Sequence, residues 1–298
     1  MDKFNLTYIE NKNIYADISD FDYDSARIVN NFHKSFDIYE KTPLVDLKNL
    51  AEEIGLRKFF VKDESYRFGL NAFKVLGASY AIANYIGEKI GLGENNLTLD
   101  EITSVETKKK LVELIFTTAT DGNHGRAVAW TANKLGQRSK VFMPKGTTLE
   151  RLENIRRENS DANIMEENYD DCVRLAAKFA RENKGVLIQD TSWQGYTEVP
   201  KNIMKGYMTM AYEAFMDLKE KEMLPTHIFL QAGVGSMAAS MTAFFRNVMK
   251  ENPPNIIIVE PNKANCLYRT AHANDGRLHF VKGHLNSIMA GLNCGEPV

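Results

Sequence analysis

The stretch FGLNAFK, residues 68–74, ends in a lysine whose neighbours are mostly apolar. It follows a strand-like run, KFFVK (58–62), and a helical pattern extends from Lys74 to residue 90. This order predicts a lysine in the first, partly buried turn of a helix. Burial disfavours the ammonium form and would lower the pKa of Lys74, which would make it a nucleophilic amine suited to Schiff-base chemistry. A solvated surface lysine is the alternative that this stretch leaves open.

Along the rest of the chain, short strand-like runs alternate with amphipathic helical patterns. Such alternation is typical of a mostly parallel sheet covered by helices on both faces, so the sequence predicts an α/β fold. The polar segment 91–110 reads as a solvated connection or a short helix. The predicted strands are 58–62, 114–119, 140–144, 163–167, 185–190, 227–232 and 256–260, and the predicted helices are 74–90, 124–135, 148–159, 169–183, 200–220 and 236–250.

A second block, TTATDGNHG (117–125), lies between a predicted strand and the helix that begins near His124. Asp121-Gly122-Asn123 is a turn signal, and a plain strand–turn–helix link with a helix cap would explain it. The carboxyl end of a strand is also where α/β sheets bind ligands. Polar side chains of this loop are therefore placed to reach a cofactor ring.

A third block, QAGVGSMA (231–238), lies between another predicted strand and its helix. Glycines let backbone N–H groups converge at a helix N-terminus, where a phosphate fits. The block also matches the dinucleotide template G-x-G-x-x-A, and Glu260 ends the next strand where an acidic ribose ligand would stand. A nicotinamide-dependent enzyme is thus one interpretation. Pyridoxal phosphate (PLP) is favoured because it uses all three blocks, with a lysine for its aldehyde, a polar loop for its ring and a glycine loop for its phosphate.

Composition narrows the class of protein. The 298 residues are 44% hydrophobic and 26% charged, with a formal net charge of −2, which argues against nucleic-acid binding. No apolar run reaches the ~20 residues of a membrane span, and the first residues lack the apolar core of a signal peptide. The 3 cysteines are widely spaced and read as free thiols, so we expect a cytoplasmic protein. No zinc-ligand spacing is present, so no metal is expected.

Taken together, the three blocks resemble the fold type II (tryptophan synthase β-like) PLP enzymes, which include threonine deaminase and cysteine synthase. Within that group the sequence is most similar to the diaminopropionate ammonia-lyases, over essentially the whole chain. Most fold type II relatives carry serine where Asp121 stands, so this aspartate is the more specific mark. The similarity is carried by Thr42 to Leu44, Lys62 to Ser65, Arg67 to Lys74, Asp121 to Gly125, Tyr169 to Asp171, Gln189 to Thr191, Gly233 to Met237, Ile288 to Leu292 and Cys294 to Pro297.

The resemblance implies a role for each matching residue. Lys74 would form the internal aldimine with PLP, and Asn123 would contact the 3′-oxygen of the ring. Asp121 and Asp190 would act as acid/base or amine-recognising carboxylates, while His124 would shape its loop. Tyr169 and Thr191 would line the substrate pocket. The phosphate would be held by the backbone of Gly233, Val234, Gly235, Ser236 and Met237.

The implied reaction is PLP-dependent β-elimination from 2,3-diaminopropionate, a small amino acid. It would pass through the Lys74 aldimine and an aminoacrylate intermediate to give pyruvate and ammonia. The implied architecture has a small lobe at 75–185 and a large, phosphate-binding lobe formed by 1–74 and 186–298. Open, mostly parallel sheets would be covered by helices, and the protein would be a homodimer that binds neither nucleic acid nor membrane.

Chains of this family continue well past the Gly-Glu-Pro segment that ends here at residues 295–297. The further part supplies the partner of the pyridine nitrogen, so we expect this chain to lack it and to turn over the substrate poorly or not at all. The alternatives are a PLP lyase of the serine/threonine dehydratase kind, a nicotinamide-dependent enzyme that uses the third block, and an inactive remnant.

Overall fold

The computed structural model describes residues 6–8, 16–111, 113–283, 285 and 287–298. Helices and strands alternate along most of this range, as the sequence predicts. The helices are α1 (Tyr23–Lys34), α2 (Lys48–Glu53), α3 (Lys74–Ile90), α4 (Leu99–Thr103), α5 (Val105–Lys110), α6 (Asn123–Lys134), α7 (Leu149–Arg156), α8 (Tyr169–Glu182), α9 (Glu198–Glu220), α10 (Ser236–Val248) and α11 (Cys266–Ala273). The strands are β1 (Leu44–Asp46), β2 (Phe60–Lys62), β3 (Ile115–Ala119), β4 (Arg138–Met143), β5 (Asp161–Ile164), β6 (Val186–Leu187), β7 (His227–Gln231) and β8 (Asn255–Val259).

The strands form three sheets, two of them parallel. A four-stranded sheet has the order β5-β4-β3-β6, and all of its pairs are parallel. Strands β7 and β8 form a parallel pair, whereas β1 and β2 form an antiparallel one. The predicted α/β class with open, mostly parallel sheets is therefore confirmed.

The four-stranded sheet carries helices on both faces. Residues 116–119 of β3 are all buried, and helices α6 and α8 both contact β3 and β4. A strand covered on both faces has no solvent side, which is why this run lacks the polar–apolar alternation of a half-exposed strand. The loop that follows β3 is consequently held at a rigid edge of the sheet.

Helix α3 is fixed by a very close contact with α9. A Cβ atom at Gly206 of α9 would lie 2.3 Å from the carbonyl oxygen of Leu76 in α3. A Cβ atom at Gly77 would lie 2.6 Å from the ring of Tyr207. Only glycine allows two backbones to approach this closely. The contact sets the position of the first turn of α3, in which Lys74 stands.

Strands β7 and β8 differ from the other sheet in their burial. Phe229 and Val259 remain 64% and 43% exposed, and they point to the same side of the pair as Ile257. Within the described residues, one face of this two-stranded sheet therefore presents apolar side chains to solvent. Predicted strand 227–232 is confirmed, but coverage of both of its faces is not observed.

Several elements differ from their predicted bounds. Predicted strand 163–167 is shifted to Asp161–Ile164. Predicted strand 185–190 is reduced to Val186–Leu187, because its pairing with β3 ends at Ile188, whose N–H donates to Thr117 O over 2.8 Å. Segment 91–110 forms the short helices α4 and α5. The division into two lobes stays a prediction, with β6 lying just beyond the proposed boundary at residue 185. Among the described residues, no helix is both long enough and apolar enough to span a membrane.

Candidate active site

The segments that carry the predicted residues meet around one cavity of about 1630 Å³. They are the start of α3, the loop between β3 and α6, the start of α8, the segment after β6, and the loop between β7 and α10. The structure thus brings together every residue that the sequence predicts for the site, although their individual roles stay predictions. The predicted residues that line the cavity are Lys74, Asp121, Asn123, Tyr169, Asp190, Thr191, Gly233, Val234, Gly235, Ser236 and Met237.

Lys74 is the first residue of α3. The backbone before it is bent by positive φ angles at Phe68 (50°), Gly69 (67°) and Asn71 (59°), which turn the chain from the end of β2 into the helix. The Nζ atom of Lys74 lies 2.5 Å from Oδ2 of Asp190. The predicted position at a helix start is therefore confirmed.

The expected net lowering of the Lys74 pKa is wrong in sign. Burial does oppose the positive charge, but the carboxylate of Asp190 outweighs it and raises the pKa of Lys74 well above its ordinary value. The contact with Asp190 therefore favours the ammonium form of the lysine. Sequence reasoning named Asp190 as a carboxylate of the site but did not predict its contact with Lys74, which lies 116 positions away in the chain.

Asp190 is a buried carboxylate, with its side chain 8% exposed. Burial works against its charge, but the Lys74 ammonium at hydrogen-bond distance holds its pKa below the usual range. The hydroxyl of Ser236 donates to its backbone oxygen over 3.0 Å and ties it to the glycine loop. Asp190 is therefore an ionised group that needs a cation beside it.

His124 supports the loop and does not carry a charge. Its Nε2 donates to the carbonyl oxygen of Ile188 over 2.8 Å, and burial lowers its pKa. The neutral ring leaves Nδ1 3.9 Å from Oδ2 of Asp190, without a hydrogen-bond partner among the described atoms. Gly125, the residue after His124, has no room for a side chain, because a Cβ atom there would lie 2.1 Å from Cγ2 of Thr120. This geometry agrees with the expectation that His124 shapes the loop.

Asp121 is held by an arginine that sequence reasoning missed. Arg151 of α7 donates through Nη1 to the backbone oxygen of Asp121 over 3.0 Å and to its Oδ2 over 3.4 Å. Burial raises the pKa of Asp121, while Arg151 works in the opposite direction. Arg151 lies on a charged helix 30 positions away, and no local pattern distinguishes it from a solvated arginine.

The glycine loop before α10 has the geometry of an anion site. Gly235 has a φ of 107° and precedes Ser236, the first residue of α10. No described acceptor receives the backbone N–H groups of residues 233–237. Free N–H groups at a helix N-terminus bind phosphate. Together with the Lys74 amine in the same cavity, they fit the phosphate and the aldehyde of PLP.

The dinucleotide interpretation of this loop is not supported by the position of Glu260. Its carboxylate accepts the backbone N–H groups of Leu267 over 2.9 Å and Tyr268 over 2.7 Å. Glu260 therefore caps the N-terminus of α11 and is not free to bind a ribose hydroxyl. The glutamate that follows the glycine loop at the dinucleotide spacing is therefore explained by its role as a helix cap, without a nicotinamide cofactor.

Comparisons with known proteins agree with this site. The family described as "Pyridoxal-phosphate dependent enzyme" matches residues 36–298. The diaminopropionate ammonia-lyase of Salmonella typhimurium is 51% identical over 267 residues, which are 89% of this chain and 66% of that protein. The enzyme of that name from Escherichia coli K12 is 43% identical over 277 residues, 93% of this chain and 68% of that protein.

Solved structures give the same result. The crystal structure of diaminopropionate ammonia lyase from Escherichia coli in complex with D-serine has a TM-score of 0.86 and 41% identity. The match covers 95% of this chain and 69% of that one. The present chain thus spans about two thirds of the length of the relatives that it matches.

Proposed function

Because the chain belongs to the pyridoxal-phosphate-dependent enzymes, and within them to the diaminopropionate ammonia-lyase family, we propose that it eliminates ammonia from 2,3-diaminopropionate. The products are pyruvate and a second ammonia. One observation carries the choice of substrate, namely the buried ion pair between Lys74 and Asp190.

The cofactor of this family is PLP, and the residues around the cavity fit it. Lys74 would hold its aldehyde carbon, Asn123 its ring, and the free N–H groups of residues 233–237 its phosphate. When bound, PLP accepts the electron pair that remains on the α-carbon after proton removal. Proton transfer and substrate recognition are then the tasks of the side chains.

Asp190 supports a substrate with two amino groups. In the structure its charge is balanced by the Lys74 ammonium at 2.5 Å. With PLP attached, Lys74 would no longer present a free ammonium group to Asp190, and a buried carboxylate without a cation is strongly destabilised. The β-ammonium group of 2,3-diaminopropionate restores the balance. The hydroxyl group of serine or threonine is neutral and does not, which disfavours the dehydratase interpretation.

Asp121 supports the proton transfers of the reaction. The substrate also has to lose its α-proton, so the site needs a carboxylate able to take up a proton near neutral pH. The raised pKa of Asp121 moves it toward that requirement. Asp190, whose pKa is lowered, is suited to bind an ammonium group and not to donate a proton.

The direct test is an assay of pyruvate and ammonia release by the PLP-loaded chain. We expect release from 2,3-diaminopropionate at a much higher kcat/KM than from serine or threonine. A Lys74→Ala variant, which removes the cofactor attachment, is the control and should be inactive. Preferential release of pyruvate from serine would support the dehydratase alternative. No release from any of them would support the inactive-remnant alternative.

We further propose that the protein acts in the cytoplasm as a homodimer with two lobes. The cysteines Cys172, Cys266 and Cys294 are free thiols, which supports a reducing compartment. Dimerisation is expected from the family resemblance. Light scattering coupled to gel filtration measures the mass directly, and a monomeric mass of about 33.8 kDa would contradict it.

A further inference from the structure

Gln189 is a buried residue behind the wall of the proposed site, and it does not line the cavity itself. It lies two residues after the end of β6, the residue is 0% exposed, and its side chain reaches across to Ala119 at the end of β3. We propose that Gln189 is a positioning residue that turns the hydroxyl group of Tyr169 into a hydrogen-bond donor toward the substrate carboxylate. The inference rests on the proposed function.

The orientation of the Gln189 amide is fixed by a single residue. Its Oε1 accepts the backbone N–H of Ala119 over 3.0 Å, and its Nε2 donates to the backbone oxygen of Ala119 over 3.2 Å. The hydroxyl of Thr118 also donates to Oε1, over 3.0 Å. A flipped amide would place like groups against both backbone groups of Ala119. Gln189 therefore has one orientation, and its Nε2 always faces α8.

The orientation of the amide determines that of the tyrosine. The second hydrogen of Nε2 points to the hydroxyl oxygen of Tyr169, 2.8 Å away. Asp190 Oδ1 is 3.5 Å from the same nitrogen and too distant to compete. Tyr169 must accept this bond with an oxygen lone pair, so its own hydrogen points elsewhere. No described acceptor takes that hydrogen, and the Tyr169 side chain lines the cavity.

Tyr169 remains a donor under all ordinary conditions. Burial, and then the negative charge of Asp190, raise its pKa well above the usual value for tyrosine. A phenol that keeps its proton can bind only an acceptor. In 2,3-diaminopropionate with both amino groups protonated, the carboxylate oxygens are the only acceptors. A hydrogen bond to a charged group is also stronger than a neutral one.

Gln189 could instead act only as a brace between β3 and the segment after β6, and a matched residue allows this to be tested. Gln137 bridges the other end of β3, where its Oε1 accepts from Leu114 N over 2.8 Å. Its Nε2 donates to the backbone oxygen of Leu135 over 3.4 Å. Gln137 does not line the cavity. Gln137→Met therefore measures how probe binding changes when an amide that only braces β3 is lost.

The experiment measures binding of two unreactive probes to the PLP-loaded protein by the change in cofactor absorption. Alanine has a carboxylate and an α-amino group but no leaving group, while 1,2-diaminoethane lacks the carboxylate. We expect Tyr169→Phe and Gln189→Met each to weaken alanine binding about tenfold or more. Both variants should leave 1,2-diaminoethane within about twofold, and Gln137→Met should change neither by more than about twofold.

The double variant decides whether Gln189 acts through Tyr169. If it does, the double variant binds alanine no more weakly than the weaker of the two single variants. Multiplied losses would show independent roles and overturn the inference, as would equal losses for both probes or no loss in Tyr169→Phe. If Gln189→Met does not fold, Gln189→Glu replaces it. A carboxylate at 189 accepts the tyrosine hydrogen and should cause the same selective loss.

The outcomes separate this inference from the proposed function. Release of pyruvate by the wild-type chain tests the reaction, whereas probe binding tests the contact with the carboxylate. A wild type that releases pyruvate while Tyr169→Phe binds both probes normally would refute only the role of Gln189. A wild type that binds alanine selectively but releases no pyruvate would refute only the reaction.

Discussion

Replacing Asp190 by asparagine removes one charge from the buried ion pair of the site. The side chains of Lys74 and Asp190 are 23% and 8% exposed, and Nζ and Oδ2 are 2.5 Å apart. At an effective dielectric constant of about 20, unit charges at that distance attract by roughly 7 kcal/mol before the cost of desolvation. Breaking a buried pair typically costs about 3–5 kcal/mol. We expect Asp190→Asn to destabilise the cofactor-free protein by that amount at pH 7.

The directions of the two pKa shifts determine how the stability difference between wild type and Asp190→Asn should vary with pH. The pKa of Asp190 is lowered by folding, so its contribution is fully present above the unfolded value of 3.8 and is lost as the pH falls through the folded value. The pKa of Lys74 is raised by folding, so its contribution is present below 10.5 and is lost only at still higher pH. The stability difference between wild type and variant should therefore be constant between about pH 5 and 9. It should shrink below pH 4.

Urea denaturation of the cofactor-free proteins at several pH values measures this difference. Asp161→Asn is the matched control, because Asp161 is also paired with a lysine, Lys140, at 2.6 Å, but its side chain is 66% exposed. An exposed pair contributes about 0–1 kcal/mol. If Asp190→Asn costs no more than Asp161→Asn at pH 7, the ion pair does not hold Lys74 as described here.

Three further predictions concern the residues that would hold cofactor and substrate. Borohydride reduction of the PLP-loaded chain should leave the pyridoxyl group on Lys74, and peptide mapping that finds it on Lys62 or Lys145 would contradict the assignment. Asp121→Asn should impair pyruvate release from one enantiomer of 2,3-diaminopropionate far more than from the other if the carboxylate is a base opposite Lys74, and equal losses would indicate a binding role. Gly235→Val should weaken PLP affinity in equilibrium dialysis while circular dichroism stays unchanged, because residue 235 has a φ of 107° and a Cβ would lie 3.3 Å from Leu267.

The parts of the site that sequence reasoning predicted are those with a local signal. Lys74 and the glycine loop at 233–237 each follow a strand and begin a helix. Glycine and polar residues at these strand-to-helix junctions indicate their positions from the local sequence alone. Strands β2, β3 and β7 belong to three different sheets, so these local signals place each segment at a strand end but do not bring the segments together. The single cavity was expected because one PLP molecule needs a lysine, a polar loop and a glycine loop at once.

The parts that were missed depend on contacts between distant residues. The sign of the Lys74 pKa shift depends on Asp190, and the position of Asp121 depends on Arg151, which no short pattern reveals. Strand β1 has only 3 residues, too few for a periodic signal. Helix α1 did carry a signal, since Asp22 caps it and the buried residues Ala26 and Val29 recur at helical spacing. That helix could have been predicted.

The contact between Gly77 and Gly206 affects how genetic data on this protein should be interpreted. Any substitution of either glycine adds at least one carbon atom where the opposite helix leaves no room. In a saturation mutagenesis screen scored by growth or turnover, both positions would tolerate as little change as Lys74 itself. An activity score alone would then assign them to the chemistry of the reaction. A parallel score for protein abundance would separate them, because the glycine variants should be lost from the cell while Lys74→Arg, which keeps a positive charge beside Asp190, should persist without activity.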